Sequence, residues 1–281
     1  MAIRLRDLLM GELGALRYEP IDKRIRGMLG DHTAIDSTRA LLVWEPRRVV
    51  PTYAFPDDDV DGEIVAAPAA EEIGTDGVGV EAMGAPPRLG DRIVFDPSVP
   101  FAVRTTPGEP LTIRVPGGRE AAAFRPDDDA LAGHVIVDFD AFDAWYEEDE
   151  INVAHPRDPF HRIDIVHSRR HVRVEHEGEV VAESSAPCLL FEPPIPVRYY
   201  LPQQDVRMDL LAPSETRTFC AYKGEASYWS LASDADIAWS YPQPLREAAE
   251  VTDMVAFFNE RVDIVVDGTL LERPVTPWSP R

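Results

Sequence analysis

The chain repeats itself, and that repetition limits its architecture more than any other feature. Residues 37–60 read S-T-R-A-L-L-V-W-E-P, a short joint, then Y-A-F-P-D-D-D-V. Residues 184–206 read S-S-A-P-C-L-L-F-E-P, a short joint, then Y-Y-L-P-Q-Q-D-V. A third pair follows, R-I-D-I-V from Arg162 and R-V-D-I-V from Arg261. Similar segments in the same order argue for a tandem duplication. The period is too long for a solenoid, so each copy is expected to be a domain with its own core. A length of 281 residues agrees with two domains. Their expected bounds are 21–166 and 167–272, the copies packing as an internal pseudo-dimer within a monomer.

Strand signals dominate. Leu41–Trp44 and Cys188–Phe191 are short apolar runs closed by Glu-Pro, as for buried strands ended by a proline. From Arg170, R-H-V-R-V-E-H-E-G-E-V-V-A-E-S alternates on either side of Glu177-Gly178, a hairpin pattern. Short helices are expected at the amphipathic N-terminus (Ile3, Leu5, Leu9, Leu13, Leu16), from Phe142 and from Leu245. With 26 prolines, long helices are disfavoured. The expected fold is mainly β. The Pro56-to-Arg162 separation exceeds that from Pro202 to Arg261 by 47 residues. The excess is placed within about 61–133, read as a long loop or added hairpins that include G-T-D-G-V-G-V from Gly74 and V-P-G-G-R from Val115.

Composition excludes several functions. The net charge of −22 opposes nucleic acid and anionic membranes. R-R-H-V-R from Arg169 is the nearest basic patch, and it reads as the solvated face of a strand. Two cysteines without a C-x-x-C pair give no zinc site and no disulfide framework, as in a reducing cytoplasm. Cys188 stands where the first copy has Leu41, so it is expected to act as a small buried hydrophobe. Five histidines at 155, 161, 167, 171 and 176 match no metal-ligand spacing and read as a turn and hairpin surface. No apolar run reaches the ~18 residues of a membrane span, and the charged N-terminus is no secretory signal.

The chemistry-bearing residues gather in the second copy. Tyr199, Tyr200, Tyr222, Tyr228, Trp229, Trp239 and Tyr241 lie close in sequence to one thiol, Cys220, and one lysine, Lys223. Aromatic rings with polar tips suit a ligand pocket, and Gly224 permits a turn. The candidate ligand residues are Tyr199, Asp205, Arg207, Tyr222, Lys223, Gly224, Tyr228, Trp229, Trp239 and Tyr241. Cys220 is a candidate nucleophile, with Lys223 favouring its thiolate if a turn brings them together. Lys223 could hold an anion, its own pKa depressed by burial, or pair at the surface with Glu225 or Asp205. Asp59 and Asp205 recur in both copies, which also fits a structural role. No histidine lies between residues 177 and 281 to complete a cysteine-protease arrangement.

The combined pattern Y-x-x-P-x-x-D-V, P-S-x-T-x-T, C-x-Y-K-G-x-A-x-Y-W-S and W-x-Y-P resembles the family of domain of unknown function 427. The resemblance covers residues 167–272, with 21–166 resembling the degenerate first half of tandem members, including H-P-R-D-P-F-H-R from His155. It implies two β-tent-like domains, similar to methionine-R-sulfoxide reductases and yippee-type domains, and it brings a nucleotidyltransferase label. The zinc-holding cysteine pairs of those relatives are missing here, so no zinc is carried over. The label demands a Gly-Ser pair and nearby carboxylates. The chain has no Gly-Ser, and Asp138 and Asp140, expected on one strand face, are the best carboxylate pair. The expectation is thus a cytoplasmic binder of a small, anionic molecule with an unknown cofactor. The alternatives are an enzyme using Cys220, a nucleotidyltransferase, and a structural or protein-interaction module.

Overall fold

The computed structural model describes residues 2–4, 7–8, 11–67 and 87–280. It is mainly β. Unit 1 comprises Met1–Pro86 and Ile93–Asp158, and unit 2 comprises Pro87–Arg92 and Pro159–Arg281. The first strands are β1 (Arg17–Pro20), β2 (Ile25–Leu29), β3 (His32–Ser37), β4 (Leu41–Trp44), β5 (Thr52–Pro56) and β6 (Glu63–Ala66). A short pair follows, β7 (Arg88–Leu89) and β8 (Arg92–Ile93). Then come β9 (Gly108–Arg114), β10 (Glu120–Pro126), β11 (His134–Val137), β12 (Ala144–Glu147) and β13 (Glu150–Asn152).

The strands of unit 2 are β14 (Asp164–His167), β15 (Val172–His176), β16 (Glu179–Ser184), β17 (Cys188–Phe191), β18 (Arg198–Leu201) and β19 (Ala212–Cys220). They continue with β20 (Gly224–Ser230), β21 (Ala238–Ser240), β22 (Val255–Phe257), β23 (Asp263–Val266) and β24 (Thr269–Leu270).

Both units carry their strands in one order. The seven-stranded sheet of unit 1 runs β1-β4-β5-β11-β10-β9-β6, and that of unit 2 runs β14-β17-β18-β22-β21-β20-β19. The four-stranded sheets are β3-β2-β12-β13 and β16-β15-β23-β24. In unit 2, one face of the larger sheet (Leu189, Tyr199, Leu201, Phe257) joins Val172, Val174, Ile264 and Val266 of the smaller sheet in a common core. The opposite face carries Cys188, Leu190, Tyr200, Trp239, Tyr241 and Phe258 in a second cluster. Alternate side chains point to opposite faces of a strand. A strand covered on both faces must therefore be apolar throughout, which explains C-L-L and L-L-V.

The turns follow local chemistry. Glu177-Gly178 and Asp267-Gly268 each have two positive φ values, as expected for tight hairpin turns, and they join β15 to β16 and β23 to β24.

Several expectations change. The segment from Phe142 is not a helix, because Ala144–Glu147 is β12, with Trp145 buried beneath Gly27 of β2. The segment from Leu245 forms a 3-10 turn over Arg246–Val251 and then β22. In both, buried aromatic and β-branched residues recruited by a sheet outweigh helical propensity. The N-terminal helix and the Gly74 segment lie partly and wholly outside the described residues, respectively, although Glu12–Gly14 forms a 3-10 turn with Leu13 buried.

R-I-D-I-V from Arg162, aligned above with R-V-D-I-V, is β14 of unit 2 and pairs with β17. Its counterpart by strand order is β1, whereas β23 answers to β12. Short alternating strands resemble one another whatever their place in a sheet, so five residues could not fix the alignment. The extra length of the first half is therefore located by the strands, and it falls inside the expected 61–133. V-P-G-G-R from Val115 turns the β9–β10 hairpin, which both units share as β20–β21. The difference falls between β6 and β9, residues 67–107, where unit 2 joins β19 to β20 by residues 221–223.

Candidate functional site

The C-A-Y-K-G segment is that short turn. Cys220 closes β19 and is register partner of Gly224, the first residue of β20. Gly224 has φ +90°, and a Cβ there would come within 3.3 Å of Leu245 Cγ. The Leu245 N–H donates to the Lys223 carbonyl at 3.0 Å, fixing the turn against the segment before the 3-10 turn. The turn reverses the chain between positions 220 and 223, which an uninterrupted strand would send to opposite faces.

Lys223 is buried, and its Nζ donates to Glu192 Oε2 at 2.5 Å. Glu192 Oε1 lies 3.1 Å from His161 Nε2. The His161 ring stacks on Tyr222 at 5.6 Å, and the Arg162 guanidinium lies 5.3 Å from the same ring. Burial pushes the Glu192 carboxyl up, but Lys223 and His161 overcome this and hold it at about 2. Burial pulls the Lys223 ammonium down, but Glu192, aided by Cys220 and Tyr200, holds it above the ordinary lysine range. The expected depression of Lys223, and its pairing with Glu225 or Asp205 at the surface, are both corrected. An opposite charge in hydrogen-bond contact outweighs desolvation here.

Three tyrosines complete the surroundings. Tyr200 accepts a hydrogen bond from Trp239 Nε1 at 3.0 Å. Tyr228 shares one with Thr218 Oγ1 at 2.8 Å, and Tyr241 packs 6.5 Å from Tyr200. Burial raises all three phenols, and Cys220 contributes to each rise. Cys220 is partly exposed, whereas Cys188 is buried.

The fold thus gathers Cys220, Tyr222, Lys223, Gly224, Tyr228, Trp239 and Tyr241. It separates the others. Tyr199 and Trp229 belong to the core between the two sheets, on the opposite face from Tyr200 and Trp239. Asp205 accepts from the Ser184 hydroxyl at 2.6 Å, as Asp59 does from Ser37 at 2.6 Å, which is a structural contact made in both units. Arg207 is paired on the surface with Asp209 at 2.7 Å. Asp138 and Asp140 do not share a strand face: β11 ends at Val137, and Asp138 caps the 3-10 turn Phe139–Ala141.

Glu192, His161 and Tyr200 were missing from the sequence-derived set. Glu192 had a signal, the Glu-Pro shared by both repeats. His161 lies upstream of the stretch searched for a histidine. Three other histidines of the run have their own partners: His171 with Glu183 at 2.9 Å, His176 with Asp234 at 3.3 Å, and His155 Nδ1 with the Pro156 carbonyl at 2.8 Å. Among the described residues, no helix is long and apolar enough to cross a membrane.

Residues 164–268 match the family model NTP_transf_9, described as a domain of unknown function, DUF427. The resemblance drawn from the Y-x-x-P and C-x-Y-K-G motifs therefore stands on this segment, which holds every residue of the site except His161 and Arg162. No curated protein matches the chain.

Proposed function

We propose that the chain is built from two copies of one β-tent-like domain, and that the second binds a small molecule at the Cys220–Gly224 turn. The identical strand order of the two units supports the first part. One observation carries the second: five titratable groups with shifted pKa values, Glu192, Lys223, Tyr200, Tyr228 and Tyr241, surround a single partly exposed thiol. Such a concentration marks functional sites more often than chance packing does. The Lys223 charge is matched by Glu192, so the pair's task in this reading is to hold the turn. The ligand meets Cys220 and the Tyr228 hydroxyl. Native mass spectrometry of the protein mixed with pooled small metabolites tests this. A retained mass should be lost in the C220S/Y228F double variant, and retention in that variant removes the site. The reading also fails if no mass is retained by the wild type.

A second reading makes Cys220 itself the reactive group, favoured by its partial exposure beside a lysine kept charged. Alkylation by iodoacetamide at pH 7 should then be faster than for free cysteine and slower in K223M. Nothing in the placement of Asp138 and Asp140 favours nucleotidyl transfer.

A further inference from the structure

The second cysteine has a setting of its own. Cys188 opens β17 and is the cross-strand partner of His167, the last residue of β14. Its Sγ lies 3.0 Å from His167 Nδ1. On the far side of the ring, His167 Nε2 lies 3.7 Å from Glu250 Oε2, beyond hydrogen-bond reach but within ion-pair range. Glu250 comes from the 3-10 turn Arg246–Val251, whose Ala248 and Val251 pack on the same sheet face as Cys188. A sulfur, a base touching it through one ring nitrogen, and a carboxylate facing the other nitrogen constitute the arrangement of an activated nucleophile. Unit 1 has none of it, since the equivalent cross-strand pair is Pro20 and Leu41.

We propose that Cys188, His167 and Glu250 form a peroxide-reactive thiol site, independent of the site at Cys220. Size selects the substrate class. Cys188 is only 1% exposed, beneath an imidazole that is itself exposed. Only a small electrophile can reach the sulfur past that ring, and a small hydroperoxide satisfies this. Burial and the nearby Glu250 push the Cys188 thiol up, so at rest the sulfur keeps its proton, with Nδ1 at 3.0 Å and the Glu250 carbonyl at 3.9 Å. In the reaction His167 takes that proton as the sulfur attacks the terminal peroxide oxygen. The S–O bond forms and the O–O bond breaks. The departing alkoxide or hydroxide takes a proton from His167, giving an alcohol or water. The thiol has become a sulfenic acid and the peroxide has been reduced, so the step balances without another reactant. The negative charge of Glu250, in ion-pair range, stabilises the charged imidazole during the transfer.

The test is time-resolved peptide mapping of the full chain treated with tert-butyl hydroperoxide or hydrogen peroxide at pH 7, with dimedone to trap the sulfenic acid. The Cys188 peptide should carry the adduct about tenfold sooner than glutathione under the same conditions, and H167Q should slow it by about tenfold. E250Q, which alters an exposed carboxylate, should slow it with the folded circular-dichroism spectrum retained, so a folding failure in H167Q would not remove the test. Trapping no faster than glutathione, trapping unchanged in H167Q and E250Q, or trapping only after denaturation would each overturn the proposal.

Discussion

Glu45 and Glu192 hold the same place in the two units. Each follows the second strand of its seven-stranded sheet, is held by the Glu-Pro junction, and takes a cation from the connection entering the corresponding strand. Arg104 Nη1 donates to Glu45 at 2.7 Å, ahead of β9; Lys223 Nζ donates to Glu192 at 2.5 Å, ahead of β20. The carboxylate is common to both units and its counter-ion differs. A buried charge without its partner is costly, so each unit needs a cation at this place.

Breaking the unit 2 pair should therefore be severe. K223M leaves Glu192 with His161 alone, and E192Q leaves a buried ammonium unmatched; each should destabilise unit 2 by about 3–5 kcal/mol. The K223M/E192Q double variant should regain much of that loss. Urea denaturation followed by unit 2 hydrogen exchange measures this, and strictly additive losses would show that the two groups do not depend on one another.

Acid should weaken unit 2 through the same carboxylate. The folded Glu192 value of about 2 lies below the ordinary glutamate value of 4.5. Its contribution is therefore present above about pH 4.5 and is lost as pH falls towards 2. The size is at most about 3.5 kcal/mol, from roughly 1.4 kcal/mol for each pH unit of displacement. Denaturation midpoints at pH 6, 4 and 3 should fall more steeply in the wild type than in E192Q. Parallel slopes would assign acid sensitivity to other carboxylates.

Gly224 offers a test of the turn. G224A forces a left-handed backbone on alanine and drives its Cβ against Leu245, at a cost of about 2 kcal/mol. G178A shares the positive φ but meets nothing within 4 Å, so it should cost about half as much. The two melting temperatures settle whether the close approach to Leu245 matters beyond the dihedral angle.

Much of this was readable in the sequence. Leu41–Trp44 and Cys188–Phe191 announced themselves as buried strands because residues covered on both faces leave no polar positions. Glu177-Gly178 announced a hairpin because few residue pairs accept two positive φ values. What failed was anything that depends on which face a side chain takes in the folded sheet. Tyr199 and Tyr200 are adjacent in the chain and sit on opposite sides of β18, so a cluster of aromatics in the sequence divides into two in space. Glu192 was hidden for the reverse reason: it lies far from Lys223 along the chain, and the two meet only through side chains in the folded unit. His167 was likewise out of view of Cys188 until β14 paired with β17.

Unit 2 closes β19 onto β20 with residues 221–223, while unit 1 spans the same junction with residues 67–107. Closing a connection costs about 0.6 kcal/mol more for each doubling of its length, so the longer one asks for roughly 2 kcal/mol, and both units keep one strand order. That end of the framework behaves as a socket. The two units accept a tight turn and a long excursion there without altering the strand order, as long as the connection still delivers a cation to the buried carboxylate.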